Sequence, residues 1–116
     1  MNTESLRQYC ISKKATSEGF PFDDTTLVIK VANKMFALIN LSGDLRLNIK
    51  CTPENVIEYI EEFDSVLPGY HMNKKYWVTI LIDGTIADEI IMSWIDDSYN
   101  LIISGLSKKQ REIYDL

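Results

Sequence analysis

Hydrophobic and polar residues alternate most regularly in the middle of the chain. Every second residue over positions 45–51 is Leu, Ile or Cys, and the positions between them carry Arg46, Asn48 and Lys50. Successive side chains of a strand point to opposite faces, so this pattern predicts a strand with one buried and one solvated face. Apolar patterns over residues 26–31 and 34–41 predict two earlier strands. Short turn signals separate the three strands, and we therefore expect an antiparallel meander.

Helical spacing and further strand signals fill the rest of the chain. The patterns predict a first helix over residues 3–13 capped by Thr3 or Ser5, a loop over 14–24, a helix from Pro53 to Phe63 capped by Thr52, strands over 66–72 and 76–82, a long helix over 86–104 and a short basic tail of helical character from Lys108. The resulting order is α-β3-α-β2-α. It predicts an α+β fold, a two-layer sandwich in which helices cover one face of an antiparallel sheet.

Length and composition indicate one folded domain over residues 1–116. Hydrophobic residues make up 46% and charged residues 25% of the chain, values that exclude a disordered or fibrous protein. No apolar run approaches the roughly 20 residues of a membrane-spanning helix, and the polar N-terminus lacks the apolar core of a signal peptide. We therefore expect a monomeric, cytoplasmic protein that does not bind membranes.

The titratable residues form no constellation typical of catalysis or metal binding. Cys10 and Cys51 lie at apolar periodic positions without CxxC spacing, and His71 is the only histidine. Two isolated thiols and one imidazole do not make a tetrahedral zinc site, and a cytoplasmic setting favours reduced core cysteines over a disulfide. We expect no enzyme activity, no metal and no cofactor, so the function is interpreted as binding.

Charge is distributed unevenly along the chain. The net charge of −5 argues against strong non-specific attraction of the whole molecule to nucleic acid. The strand region over residues 25–52 is nevertheless basic, with Asp44 as its only acid and the cations Lys30, Lys34, Arg46 and Lys50. The predicted second helix carries no base and the acids Glu54, Glu58, Glu61, Glu62 and Asp64. Helices on one face would leave a positive face opposite them, which indicates either polyanion binding or a lysine-rich surface that only keeps the sheet soluble.

Residues 68–77, with the sequence PGYHMNKKYW, concentrate three aromatic residues, two lysines and the histidine in ten positions. Tyr76 and Trp77 are adjacent in a predicted strand, so one ring is expected in the core and the other exposed. An exposed ring beside Lys74 and Lys75 would stack on a base or, equally, anchor a protein partner. His71 fits a contact or structural role better than that of a general base, because no partner nucleophile is identifiable.

Six segments, in order along nearly the whole chain, resemble the MmcQ/YjbR family: Leu6–Cys10, Phe20–Phe22, Lys34–Leu38, Leu47–Cys51, PGYHMNKKYW and Ser98-Tyr99. The resemblance implies an α-β3-α-β2-α fold like that of secretion chaperones, in bacterial cytoplasmic proteins labelled as DNA-binding through a double-wing arrangement. The chain departs from the family pattern at Ala32-Asn33, where a glycine often precedes Lys34, and at Asp23-Asp24, where a glycine commonly follows Phe22. The Asp pair lowers the positive charge beside the first strand.

The charge pattern and the resemblance together predict a non-enzymatic nucleic-acid-binding protein with weak, salt-sensitive binding to DNA. The candidate contact residues are Lys30, Lys34, Arg46, Lys50, His71, Asn73, Lys74, Lys75, Tyr76 and Trp77. The alternative is a protein-interaction or chaperone-like adaptor that uses the same face. Nuclease treatment separates the two hypotheses, because only a protein partner would survive it.

Overall fold

A computed structural model describes residues 1–116 as four helices and one six-stranded sheet. The elements, in chain order, are α1 (Thr3–Ile11), β1 (Thr16–Gly19), β2 (Thr26–Val31), β3 (Lys34–Asn40), β4 (Arg46–Lys50), α2 (Pro53–Glu62), β5 (Val66–Pro68), β6 (Trp77–Leu81), α3 (Asp88–Ser104) and α4 (Lys108–Tyr114). The predicted α+β class, with an antiparallel sheet and helices packed on one face, is confirmed. None of the helices is both long and apolar enough to cross a membrane.

The sheet is antiparallel throughout, with strand order β1-β2-β3-β4-β6-β5. Strands β2, β3 and β4 form the predicted meander. The turn between β2 and β3, Ala32-Asn33, has φ angles of 48° and 64°, the pair of positive values typical of a two-residue type I′ hairpin. The chain then passes through α2 to the far edge of the sheet and returns along β6, which pairs with β4.

The segment over residues 14–24, predicted as a loop, contains the edge strand β1. Its sequence, TSEG, has no apolar alternation, so periodicity could not mark it. Backbone pairing with β2 holds the strand in place, and an ion pair from Arg7 Nη2 to Glu18 Oε1 at 2.7 Å ties it to α1. The first strand of the sheet is therefore defined by its neighbour rather than by its own side chains.

The helix starts follow simple capping chemistry. Asn2 caps α1 in place of the predicted Thr3 or Ser5: its side chain accepts a hydrogen bond from the Ser5 amide, and the Ser5 hydroxyl accepts one from the Asn2 amide. Thr52 caps α2 with Pro53 at the first helical position, as predicted. These caps satisfy amides that have no partner within the helix.

The main hydrophobic core lies between the sheet and the helices and is called the helix-side core here. It contains 22 buried residues, among them Ile29, Ile39, Leu47 and Ile49 from alternate strand positions. Both cysteines belong to it and are unpaired, as predicted, and Trp94 of α3 joins them. The regular alternation of β4 is therefore explained by burial of every second side chain under the helices.

A β-bulge interrupts the β2–β3 ladder at Phe36. Ile29 pairs with Ala37, but the next residue, Lys30, pairs with Met35, so Phe36 is the extra residue on β3. Phe36 and Ala37 are both fully buried in the helix-side core although they are neighbours in sequence. Because of the bulge, the β3 residues before Phe36 point to the opposite face from the one that simple alternation along the strand would give them.

Ser98 of α3 stabilises the strands beside this bulge. Its hydroxyl donates to the Phe36 carbonyl at 2.7 Å and accepts from the Lys50 amide at 2.9 Å. Ser98 has no exposed surface, so water cannot replace either bond. One serine therefore fixes the ends of β3 and β4 to the helix layer.

Candidate nucleic-acid interface

The face of the sheet turned away from the helices is called the open face here. Its strand residues alternate with members of the helix-side core, which fixes the side to which they point. They are Ser17 and Gly19 of β1, Thr26, Val28 and Lys30 of β2, Met35, Leu38 and Asn40 of β3, Arg46, Asn48 and Lys50 of β4, Leu67 of β5, and Trp77, Thr79 and Leu81 of β6. Sequence alternation therefore located Lys30, Arg46, Asn48 and Lys50 on one face, where the structure also places them.

Residues 69–76, called the covering loop here, fold over one end of the open face. Beneath them Val28, Leu38 and Trp77 form a small second cluster, separate from the helix-side core. The Gly69 amide donates to the Trp77 carbonyl at 3.1 Å, and a Cβ on Gly69 would lie 2.8 Å from the Trp77 Cβ. A side chain at this position would collide with Trp77, so the absence of one lets the loop lie directly against the Trp77 backbone.

The two aromatic residues at the end of the covering loop differ in accessibility. Trp77 is 9% exposed, but it is buried on the open face rather than in the main core. Tyr76 precedes β6, so strand alternation does not apply to it, and its ring is half-buried. Lys50 Nζ lies 5.9 Å and Lys75 Nζ 5.5 Å from its ring centroid. Tyr76 is therefore the more accessible ring of the pair, and two cations lie near it.

The cations of this region have no acidic partners. The five ion pairs of the molecule involve the N-terminus, Arg7, Lys13 and Lys14. The cations outside them that lie on the open face or its covering loop are Lys30, Arg46, Lys50, Lys74 and Lys75. Lys74 Nζ makes one contact, 3.4 Å from the Gly69 carbonyl oxygen. Five positive charges thus remain available to an anionic ligand.

Lys34 is the one predicted cation that lies apart from this group. It pairs with Val31 at the end of the β2–β3 hairpin, and Val31 belongs to the helix-side core. Paired residues project to the same side of a sheet, so Lys34 is at the rim of the opposite face. The bulge at Phe36 is the physical reason, because it shifts the alternation that would otherwise align Lys34 with Leu38.

Two polar residues of the covering loop shape its backbone. Asn73 accepts a hydrogen bond from the Lys75 amide at its side-chain oxygen, and its carbonyl accepts from the amides of Tyr76 and Trp77. His71 is exposed, has a φ angle of 58° and lies with its ring centroid 4.0 Å from that of Tyr70. Asn73 therefore sets the turn, while His71 and Tyr70 extend from it as a pair of rings.

His71 has no thiol partner. Cys10 and Cys51 lie in the helix-side core, and burial raises the pKa of each thiol to about 12. Such thiols are protonated at neutral pH and are poor nucleophiles. The imidazole lies on the other side of the sheet, at the covering loop.

A cavity of about 740 Å³ lies between the covering loop, the open face and residues 22–26. Phe22 and Tyr70 line it and are 64% and 62% exposed. Leu38, Asn48 and Thr79 also line it. The Thr79 hydroxyl donates a hydrogen bond to Asn48 Oδ1 and accepts one from the Tyr70 amide at 2.9 Å. We refer to this space as the open-face cavity.

Asp23 is the acidic residue of the open-face cavity. Backbone hydrogen bonds from Thr25 and Thr26, at 3.0 and 2.7 Å, lower the pKa of its carboxyl group, so it is ionised at neutral pH. These bonds also fix the segment that carries Phe22. Asp23 was recognised in the sequence only as a negative charge near the first strand, and its structural role as a turn cap was not predicted.

The predicted contact residues that line the cavity are Arg46, His71 and Asn73, and the lining residues that sequence reasoning missed include Phe22, Asn40, Tyr70 and Thr79. Phe22 and Tyr70 were present in the segments Phe20–Phe22 and PGYHMNKKYW, so both signals were visible as motifs. Their convergence was not visible, because it depends on two loops that meet across the sheet.

The helix layer has the opposite charge. All five acids of α2 and its end, Glu54, Glu58, Glu61, Glu62 and Asp64, are exposed and make no ion pair. Arg111 of α4 donates to the carbonyls of Ile103 and Ser104 at the end of α3, at 3.2 and 3.1 Å. Arg111 therefore stabilises the C-terminus of α3.

Comparison with known proteins finds relatives over nearly the full chain. The YjbR family matches residues 11–101. An Escherichia coli O157:H7 protein called uncharacterized protein YbdF is 33% identical over 94 residues, which cover 80% of this chain and 77% of that protein. Uncharacterized protein YjbR of Escherichia coli strain K12 is 27% identical over 114 residues, or 97% of each chain. The crystal structure of Deinococcus radiodurans protein DR2400, with the DUF419 domain, has a TM-score of 0.92 and 38% identity and covers 99% of this chain and 88% of its own.

Proposed function

This chain belongs to the YjbR family, and from that premise we propose that it binds nucleic acid, without catalysis, through the open face and the covering loop. One observation carries the proposal: the cations of this side are unpaired, while the acids of α2 lie in the helix layer. An unpaired lysine can neutralise a phosphate and release its counterion without first breaking a salt bridge. The net charge of −5 therefore does not describe the charge that a ligand meets on the open face.

Tyr76 adds a second element to the proposal. Lys50 Nζ and Lys75 Nζ lie 5.9 and 5.5 Å from the centroid of its half-buried ring, so a base stacked on it would leave the neighbouring phosphates within reach of both ammonium groups. Stacking of a base on an aromatic ring beside cations is the pattern of sequence-independent binding to single strands. Trp77 stabilises this arrangement, because it is buried and the covering loop packs against it at Gly69.

Fluorescence anisotropy with labelled single-stranded and duplex DNA tests the proposal. We expect binding at low salt that weakens steeply as salt rises, with a log-log slope of about −3 if three or four phosphates are contacted. No binding by micromolar protein at low salt would contradict it.

Paired lysines offer a matched control for this measurement. Lys74→Ala/Lys75→Ala removes two cations of the covering loop, and we expect the magnitude of the salt slope to fall by about 2. Lys108→Ala/Lys109→Ala removes two exposed, adjacent lysines of α4, in the helix layer, and should leave the slope unchanged. Equal effects of the two double variants would assign binding to overall charge rather than to the open face.

A protein-interaction adaptor is the second candidate, favoured by the exposed rings of Phe22 and Tyr70 beside the open face. Rings of this kind anchor protein interfaces when they enter a pocket of the partner. A captured partner that persists after nuclease treatment and is released by Tyr70→Ala would support the adaptor. Loss of every partner with nuclease would remove it.

A further inference from the structure

The open-face cavity has the volume and the aromatic lining of a site for a small ligand. Its volume of about 740 Å³ falls within the roughly 300–1,000 Å³ of ordinary small-ligand sites. Among its lining residues, Phe22 and Tyr70 expose well over half of their surface, and the His71 ring lies 4.0 Å from that of Tyr70. We propose that this cavity holds one unpaired nucleobase, an inference that rests on the proposed function and narrows its ligand to single-stranded nucleic acid.

The polar groups of the cavity match the edge of a base. Asn48 Oδ1 accepts from the Thr79 hydroxyl, which leaves the Asn48 amide NH₂ as a donor with no protein partner. Asn40 Nδ2 donates to the Ser42 carbonyl at 2.7 Å, which leaves its side-chain oxygen as an acceptor. A side-chain amide donor and acceptor are the groups that read base edges in known complexes. These two come from neighbouring strands of the open face.

The charge of the cavity favours a neutral ligand inside it. Arg46 is its one permanently charged cation, and the ionised Asp23 offsets it. A phosphate would be attracted by one group and repelled by the other, whereas a base carries no charge at neutral pH. The unpaired lysines lie outside the lining, with Lys74 and Lys75 in the covering loop. This division assigns the base to the cavity and the phosphates to its rim.

The geometry also distinguishes a single strand from a duplex. A base within a duplex is stacked on both faces and hydrogen-bonded along its edge, so it cannot reach the walls of a cavity without leaving the helix. A single strand presents its bases at little cost, and its phosphates can follow the rim cations. Selectivity for single strands is therefore the measurable consequence of base insertion.

The test compares three ligands of equal length by fluorescence anisotropy: a single-stranded oligonucleotide, its duplex, and a fully abasic strand that keeps every phosphate. We expect the wild-type protein to bind the base-bearing strand about tenfold or more tightly than the abasic strand, with the same salt slope for both. Tyr70→Ala and Phe22→Ala should each lower this preference severalfold, and the part that remains in both variants is the contribution of stacking on Tyr76. Both side chains are largely exposed, so neither variant should lose the fold, and the comparison of strands needs no variant at all.

Phe20→Ala is the matched control. Phe20 is 50% exposed and two positions from Phe22, but it lines a different surface depression beside β1. Loss of a phenyl ring at this position should leave the preference for the base-bearing strand unchanged. An equal loss from Phe20→Ala and Phe22→Ala would overturn the assignment to the cavity.

The outcomes separate this inference from the proposed function. Equal, salt-sensitive binding of abasic and base-bearing strands would overturn the base site and leave nucleic-acid binding standing. Absence of binding to all three ligands would overturn both. A free nucleoside monophosphate that binds in a Tyr70-dependent manner, while the strands do not, would assign the cavity to a small molecule and also overturn the inference.

Discussion

The side chains on the two faces of the sheet are determined by different requirements. On the helix side, alternate strand positions are apolar and fully buried, and their identities are determined by the need to fill the space under α3. On the open face, the same strands carry Lys30, Arg46, Asn48 and Lys50, none of which is fully buried. Stability constrains the first set and does not require the second. The comparison indicates that these four polar side chains are available for binding, since the fold does not depend on them, whereas Val28, Leu38 and Trp77 of the same face are buried.

Adjacent residues of β4 provide the strongest test of this difference. Leu47 has no exposed surface, so Leu47→Ala should lower the free energy of unfolding by about 2–5 kcal/mol through lost burial and a residual cavity. Arg46 is half-buried on the open face and makes no ion pair. Arg46→Ala should therefore change the free energy of unfolding by no more than about 0.5 kcal/mol. Urea denaturation measures both values. Similar losses would show that the open face is also needed for the fold.

The link between the helix layer and the sheet is tested at Ser98. Ser98→Ala leaves the Phe36 carbonyl and the Lys50 amide without their buried partner. We expect the free energy of unfolding to fall by about 2 kcal/mol. Ser93→Ala on the same helix is the control. The Ser93 hydroxyl is exposed and donates only to the Ile90 carbonyl within α3. Ser93→Ala should therefore change the free energy of unfolding by no more than about 0.5 kcal/mol. Equal stabilities of the two variants would contradict the role assigned to Ser98.

The smallest effect is expected at Gly69, within the open face itself. A Cβ there would lie 2.8 Å from the Trp77 Cβ and 2.9 Å from its carbonyl oxygen, so Gly69→Ala must displace the covering loop. We expect the free energy of unfolding to fall by about 1–2 kcal/mol. We also expect Trp77 to become more exposed, which a red shift of its fluorescence would report. Gly19→Ala, where a Cβ meets nothing within 4 Å, should produce no shift. An unchanged emission spectrum in Gly69→Ala would show that the loop does not depend on this contact.

The parts of the fold predicted from sequence are those with a local cause. Alternation over residues 45–51 located the polar row of β4, because strand geometry leaves no other arrangement once one face is buried. Thr52-Pro53 located the start of α2 through capping chemistry. In contrast, β1 was missed because pairing with β2, rather than its own side chains, defines it.

The parts of the candidate site that were not predicted depend on distant contacts. The position of Lys34 depends on the bulge at Phe36, which no periodicity in β3 reveals. The open-face cavity requires residues 22–26 and the covering loop to meet across the sheet, and the loop is held by the contact of Gly69 with Trp77. Local patterns determine the face on which a strand residue lies, whereas loop packing determines which of these residues share a cavity.

The separation of charge between the two layers gives the molecule an electric dipole that runs through its thickness. A polyanion far from the protein meets an overall negative charge of −5 and is repelled, but close to the surface the potential depends on which side is presented. The dipole torque would turn the lysine side toward the polyanion before contact. Encounter would then be selective for orientation, and added salt would weaken the long-range repulsion as well as the final attraction.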